Sequence, residues 1–172
     1  MLKEASEWVK LCVNNINKAT INKVVLDLAC GYGRNSIFLS NKGYKVIALD
    51  LNFSCLSSFS KKNILKIQSD IESSNTWPFG QDSFDLVVVT NFLNRMVFAN
   101  IRKVIKKNGY LIYETFGEGH EKLGKPKNKD YLLEEGELLK LTKKMQLVCY
   151  EEIKVINFKE KFIKHRILCK NV

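Results

Sequence analysis

The chain has 172 residues, 45% of them hydrophobic and 27% charged, enough to bury a real core in one domain spanning residues 1–172. Its apolar runs, such as Phe84 to Val89 broken by Asp85, are strand-sized, and none approaches the roughly 20 residues of a membrane-spanning helix. Residues 1–10 mix Lys3, Glu4 and Glu7 among apolar residues and show no signal-peptide core, so a cytoplasmic location with no membrane partner is expected.

The formal net charge is +10 and unevenly spread. Residues 1–86 hold 10 Lys/Arg against 8 Asp/Glu, and residues 87–172 hold 18 against 10. A basic half can steer a polyanion such as RNA toward a site; the alternative is compositional drift, since Lys abounds and Arg appears only four times. Five cysteines (Cys12, Cys30, Cys55, Cys149, Cys169) show no C-x-x-C spacing and read as free, mostly buried thiols. His120 and His165 are the two histidines, neither at ligand spacing from a cysteine, so no metal is expected.

Periodicity predicts an amphipathic helix over 2–17, then a buried strand over 24–29 running into the turn Cys30-Gly31-Tyr32-Gly33. A helix over 34–42 stopped by Gly43, a strand over 45–50 and a helix over 53–60 follow. Strands are expected over 64–69 and 84–89, a helix around 96–107, an Asn108-Gly109 turn, and a strand over 110–116. After a polar loop, 131–144 reads as a helix, and 146–156 and 160–170 as paired strands. Alternating strands and helices indicate an α/β fold with a mostly parallel sheet covered on both faces. The last two strands, with no helix between them, imply an antiparallel edge.

The strongest local signal is Val25-Leu26-Asp27-Leu28-Ala29-Cys30-Gly31-Tyr32-Gly33-Arg34: a strand, a glycine turn, a helix start. Gly31 and Gly33 let the backbone turn sharply and a ligand approach, and the first helical N–H groups face it. A dinucleotide-binding fingerprint puts a small third residue where this chain has Ser36, and a pyrophosphate sits poorly beside Asp27. A carboxylate there suits a cationic ammonium. Asp50 closes the second strand, placed to accept ribose hydroxyls, and Asp70 with Ile71 follows the third, placed to meet an adenine edge. Carboxylates at the ends of three successive strands stand where open α/β sheets bind ligands.

This order, with Ser69-Asp70-Ile71 and with Trp77-Pro78-Phe79 leading into Ser83-Phe84-Asp85-Leu86-Val87-Val88, resembles the class I methyltransferases that use S-adenosylmethionine (SAM). The resemblance covers roughly residues 22–116. It implies the Rossmann-like class I methyltransferase fold and SAM as cofactor. Asp27, Gly31 and Gly33 would then cradle the methionine end, Asp50 the ribose, and Asp70 and Ile71 the adenine, with Ala29, Leu51 and Asn91 also among the cofactor-binding residues. The Gly-Arg-Asn-Ser run resembles the TehB-like tellurite-resistance methyltransferases.

The acceptor belongs beyond the fourth and fifth strands, near Thr90 to Arg95 and Tyr113 to Glu121. No Asn/Asp-Pro-Pro-Tyr/Phe run and no Pro-Cys nucleophile stands there, which disfavours base-amine and cytosine-C5 methylation. The run Tyr-Glu-Thr-Phe, then Gly119, Glu121, Gly124, Pro126, Asn128 and Asp130 to Leu133, resembles a bacterial group of small methyltransferase-domain proteins, which carry His where this chain has Asn94.

Four residues are catalytic candidates. Glu114 reads as a buried pocket acid of raised pKa, as a carboxylate at the solvent-facing strand end, or as one paired with Arg95. Tyr113 reads as catalytic or as core packing. His120 is a base or lid residue, or a surface histidine. Arg95 binds an anionic acceptor or caps the neighbouring carboxylate. Lys122 to Lys129 forms a basic flap or a solvated loop. A small-molecule acceptor is the expectation; the alternatives are a tRNA or rRNA methyltransferase and a noncatalytic SAM-binding protein.

Overall fold

The computed structural model describes residues 4–16, 24–73 and 77–172. The predicted helix over 2–17 falls partly outside these residues, and what is described is α1 (Glu7–Asn15), with Trp8, Val9, Cys12 and Val13 buried along one side. Then come β1 (Val24–Leu28), α2 (Arg34–Asn41), β2 (Lys45–Asp50), α3 (Phe53–Ser57), β3 (Ile64–Gln68) and β4 (Phe84–Thr90). The chain continues through α4 (Phe98–Val104), β5 (Ile105–Phe116), α5 (Glu137–Leu141), β6 (Gln146–Ile156) and β7 (Lys161–Lys170).

Seven strands form one sheet in the order β3-β2-β1-β4-β5-β7-β6. The pairs from β3 to β5 are parallel, and β7 runs antiparallel to both β5 and β6. The expected α/β architecture is therefore observed, with the reversed strand one place inside the edge. Central strands are buried on both sides, as parallel strands are, and their side chains alternate between two cores. Leu86 and Val88 of β4 join Trp8, Val9 and Leu39 beneath α1 and α2. Val87 and Val89 join Phe98, Ile101 and Leu138 beneath α4 and α5.

Several boundaries differ from expectation for local reasons. The first strand stops at Leu28 because Ala29 takes a left-handed backbone (φ 53°) and opens the turn. The helix expected over 53–60 ends at Ser57, and Phe59 turns inward. The helix expected to 107 ends at Val104, and Ile105 is already extended. Asn108-Gly109 consequently lies within β5 rather than before it. Phe84 pairs with Ile105 but Leu86 with Tyr110, so residues 106–109 bulge out of the ladder. Asn108 is left-handed (φ 66°), and a Cβ on Gly109 would stand 2.9 Å from the Asp85 carbonyl oxygen. The helix expected over 131–144 is reduced to α5. A 3-10 turn covers Lys129–Tyr131, and Gly136 (φ 67°) starts the helix late.

Candidate active site

The carboxyl ends of β1 and β2 meet in a bonded turn. Leu49 O accepts from Cys30 N at 2.9 Å, and Asp50 Oδ2 accepts from Gly31 N at 2.7 Å. Asp50 Oδ1 accepts from Asn52 N at 2.9 Å, and the Asn52 side chain caps α3. Each Asp50 oxygen keeps a lone pair for a further donor. Gly31 is left-handed (φ 53°), and a Cβ there would meet nothing within 4 Å, so open space lies over the turn. Gly33 (φ 72°) instead lies on the Phe59 ring, 2.5 Å from where its Cβ would sit.

Asp27 stands behind this turn, 1% exposed. Its Oδ2 accepts from Ser36 Oγ at 2.5 Å, while its buried Oδ1 has no hydrogen-bond partner among the described residues. Burial pushes the carboxyl up to about 6, against the lowering pull of the Ser36 hydrogen bonds and the nearby Arg34 charge. A buried carboxylate oxygen without a donor is costly in isolation. It fits a site whose occupant brings a cation. Around the open turn Tyr32, Leu51 and Phe53 are exposed at 64%, 59% and 65%, offering apolar surface to an aromatic ligand.

Asp70 follows β3, its Oδ1 accepting from Glu72 N at 2.9 Å, and Ser69 N donates to Asp50 O at 3.2 Å. Ile71 is buried in the core beneath α4. Asn91 ends β4 in a left-handed conformation (φ 56°), and its N–H bonds the Glu114 carbonyl at 2.8 Å. Asn94 Nδ2 donates to Glu72 Oε1 at 3.0 Å, joining the loop after β3 to the loop after β4. The cofactor candidates on β1 to β4 thus line the carboxyl edge of the sheet.

The catalytic candidates are all held by the protein itself. Glu114 does not pair with Arg95. Its Oε1 accepts from Ser6 Oγ and Lys164 Nζ, both at 2.9 Å, with Arg166 3.6 Å from Oε2. A buried chain continues from it: Ser6 N bonds Asn35 Oδ1 at 3.0 Å, and Asn35 Nδ2 bonds Thr90 Oγ1 at 2.9 Å. Tyr113 is fully buried, donates to Phe92 O at 2.7 Å and packs on Phe98, and burial pushes its hydroxyl up. His120 is not at the surface; it is 3% exposed and stacked on Phe116 at 4.1 Å. Its Nε2 lies 2.9 Å from Lys125 O and its Nδ1 3.3 Å from Ile163 N, so Nε2–H donates and Nδ1 accepts. The Lys122 to Lys129 segment is thereby fastened to the fold.

Arg95 grips the segment ahead of α5. It bonds Asp130 O at 2.7 Å, Leu132 O at 2.9 Å and the Glu137 carboxylate at 2.5 and 2.9 Å. Arg95→Ala is expected to speed amide exchange at Leu132 and Leu133 by about 5- to 30-fold, from the loss of about 1–2 kcal/mol of charge-assisted bonding. Arg95→Lys should restore little, because it cannot make the forked contact. Unchanged exchange in the alanine variant would contradict this role.

Sequence reasoning missed Ser6, Lys164 and Arg166, and it gave no side-chain role to Asn35, Ser36 and Thr90, whose positions at the start of α2 and the end of β4 it had noted. Asn35 and Ser36 carried a usable signal: two polar residues at the start of α2 on positions that end up buried. The others come together only through tertiary pairing.

The methyltransferase domain family matches residues 25–109. TehB of Haemophilus influenzae, named a probable SAM-dependent methyltransferase, is 38% identical over 93 residues, 49% of this chain and 31% of TehB. YqeM of Bacillus subtilis, also named a methyltransferase, is 34% identical over 105 residues, 53% of this chain and 41% of YqeM. The matched stretches thus span well under half the length of these curated relatives. In fold, the crystal structure of H. influenzae TehB superposes with a TM-score of 0.77 at 23% identity, covering 98% of this chain and 63% of that one. A SAM-dependent methyltransferase of Methanosarcina mazei superposes with a TM-score of 0.74 at 17% identity, covering 99% of both chains. Residues 25–109 thus match the methyltransferase domain family, the relatives matched over about half of the chain are named methyltransferases, and the fold is the Rossmann-like one of solved SAM-dependent methyltransferases.

Proposed function

We propose that residues 1–172 act as one methyltransferase domain that binds SAM over the β1–β2 turn and methylates a small molecule over the carboxyl ends of β4 and β5. The observation that carries this reading is Asp27 Oδ1, buried behind the open Gly31 turn and without a donor among the described residues. Asp27 would hold the ammonium of the methionine end, Asp50 the ribose hydroxyls, and Leu51, Asp70 and Ile71 the adenine side, with Ala29, Gly31 and Gly33 shaping the backbone cradle and Asn91 closing it at β4. When bound, SAM supplies an electrophilic methyl group on a sulfonium with its own leaving group.

The chain's own residues then mainly orient the acceptor. Tyr113 holds the Phe92 carbonyl, Glu114 is fastened by Ser6 and Lys164, His120 pins the loop after β5, and Arg95 fixes the segment before α5. In this reading all four serve as positioning residues, and the acceptor loses its proton to solvent. A small acceptor is favoured over tRNA or rRNA because part of the basic half is neutralised internally: Arg95, Lys106, Lys164 and Arg166 all pair with carboxylates. The test is transfer of labelled methyl from SAM into pooled metabolites and, in parallel, into total RNA. Label in metabolites, lost with Asp50→Ala, supports the reading; label in RNA alone contradicts it. Asp50→Ala should itself weaken SAM binding by about 1–3 kcal/mol in calorimetry, the range for stripping a partner from buried donors, and unchanged affinity would remove Asp50 from the ribose site.

A further inference from the structure

A cleft of about 210 Å³ lies between α4 and the turn joining α5 to β6. Phe98, Leu111, Leu141 and Met145 give it an apolar floor. Its rim carries five cations, Arg102, Lys103, Lys140, Lys143 and Lys144, and among the described residues no carboxylate lines it. We propose that this cleft binds a small organic anion, a phosphate or similar head on an apolar body, at a site separate from the cofactor cradle.

The separation follows from the topology. Lys103 O accepts from Asp82 N and Val104 O from Ser83 N, so this end of α4 sits at the amino end of β4. The cradle lies at the carboxyl ends of the strands. Arg95 and Glu137 clamp the opposite ends of α4 and α5, so the cleft opens where the two helices finish.

The charges around the cleft differ from four other cations of this half in forming no ion pair among the described residues. Arg95, Lys106, Lys164 and Arg166 each meet a carboxylate, but among the described residues none of the five rim cations does. Helix C-termini account for part of the arrangement: Arg102 and Lys103 fall in the last turn of α4, and Lys140 in that of α5. Lys143 and Lys144 lie beyond any helix. Gathering like charges around one hollow is unfavourable unless an anion enters it. The apolar floor selects an anion that also carries a hydrophobic group. Since ligand pockets commonly enclose about 300–1,000 Å³, this cleft suits a body of one or two rings rather than an extended polymer.

The test is a titration of 1-naphthyl phosphate into the full chain in the presence of S-adenosylhomocysteine, followed by calorimetry and by the NMR signal of the labelled Met145 methyl. Inorganic phosphate and 1-naphthol serve as the head and the body alone. The proposal expects sub-millimolar binding of 1-naphthyl phosphate, at least tenfold weaker binding of either half, and a shift of the Met145 signal with Met96 unmoved. Binding should fall at least tenfold in Lys103→Glu/Lys144→Glu, and less than threefold in Lys154→Glu/Lys159→Glu, which makes the same charge change elsewhere. The wild-type Met145 shift decides the matter even if the first double variant fails to fold. Absence of that shift, equal losses in both double variants, or phosphate binding as tightly as the naphthyl ester would overturn the proposal. Binding of a 20-nucleotide RNA through Lys103 and Lys144 without binding of 1-naphthyl phosphate would overturn it in favour of a polyanion surface.

Discussion

Asp27→Asn is expected to weaken SAM binding about 30- to 100-fold at pH 8, while leaving the ligand-free protein at least as stable as the parent. The binding loss follows from removing the negative charge behind the glycine turn, worth about 2–3 kcal/mol for a buried charge-assisted contact. The stability effect follows from the same burial. Asp27 is pushed up to about 6 in the folded chain, above the ordinary carboxylate value, because desolvation disfavours its charged form. Between about pH 4 and pH 6 the folded chain therefore holds a proton that the unfolded chain has released. Asp27's contribution is most favourable below about pH 4 and is lost as pH rises through about 6, an amount of roughly 3 kcal/mol for a shift of this size. Asparagine removes that penalty at pH 8. Affinity should show the complementary dependence: as pH drops below about 6, SAM must displace the Asp27 proton, and binding weakens up to about tenfold per pH unit. Calorimetry from pH 5 to 8, with urea unfolding at both ends, reads both effects. Equal affinity in parent and variant, or a pH-independent parent, would contradict the assignment.

The two glycines of the turn are expected to fail in opposite ways. Gly31→Ala places a methyl in open space at φ 53°, so the cost to the fold is the left-handed backbone alone, about 1–2 kcal/mol. That methyl would project into the space assigned to the ligand, and SAM binding should be lost beyond detection. Gly33→Ala meets φ 72° and the Phe59 ring 2.5 Å away. Strain and overpacking together should cost about 2–5 kcal/mol and lower the melting temperature by several degrees. Gly33→Ala/Phe59→Leu should recover part of that loss. Circular dichroism melts and calorimetry on the three variants separate the roles. A Gly31→Ala protein that binds SAM normally would show that the open space over the turn is not the cofactor's.

The elements that sequence reasoning placed well are those whose signal is local and self-consistent. β2 is legible to the residue because KVIALD is an apolar run bounded by Gly43 and a strand-end acid. The Asp27-to-Gly33 turn is legible because a strand, two glycines and a helix start stand side by side. Asn108-Gly109 misled because the same dipeptide serves a hairpin turn or a bulge. The choice was made by the pairing of β5 with β4, which residues 105–110 do not encode alone. Residues 131–144 misled because their apolar spacing is satisfied partly by extended chain: Leu133 bonds Phe116 and bridges to Gly117 instead of continuing a helix. Around the acceptor side, Glu114 draws its partners from Ser6 and Lys164, which lie 108 and 50 positions away in the chain. No window of sequence contains that network.

The most direct measurement of the central claim is a calorimetric titration of SAM and of S-adenosylhomocysteine into the purified chain at pH 8. The account predicts micromolar binding of both, at one site per chain. No heat from either would contradict it, leaving a Rossmann-like sheet whose open glycine turn serves some other ligand.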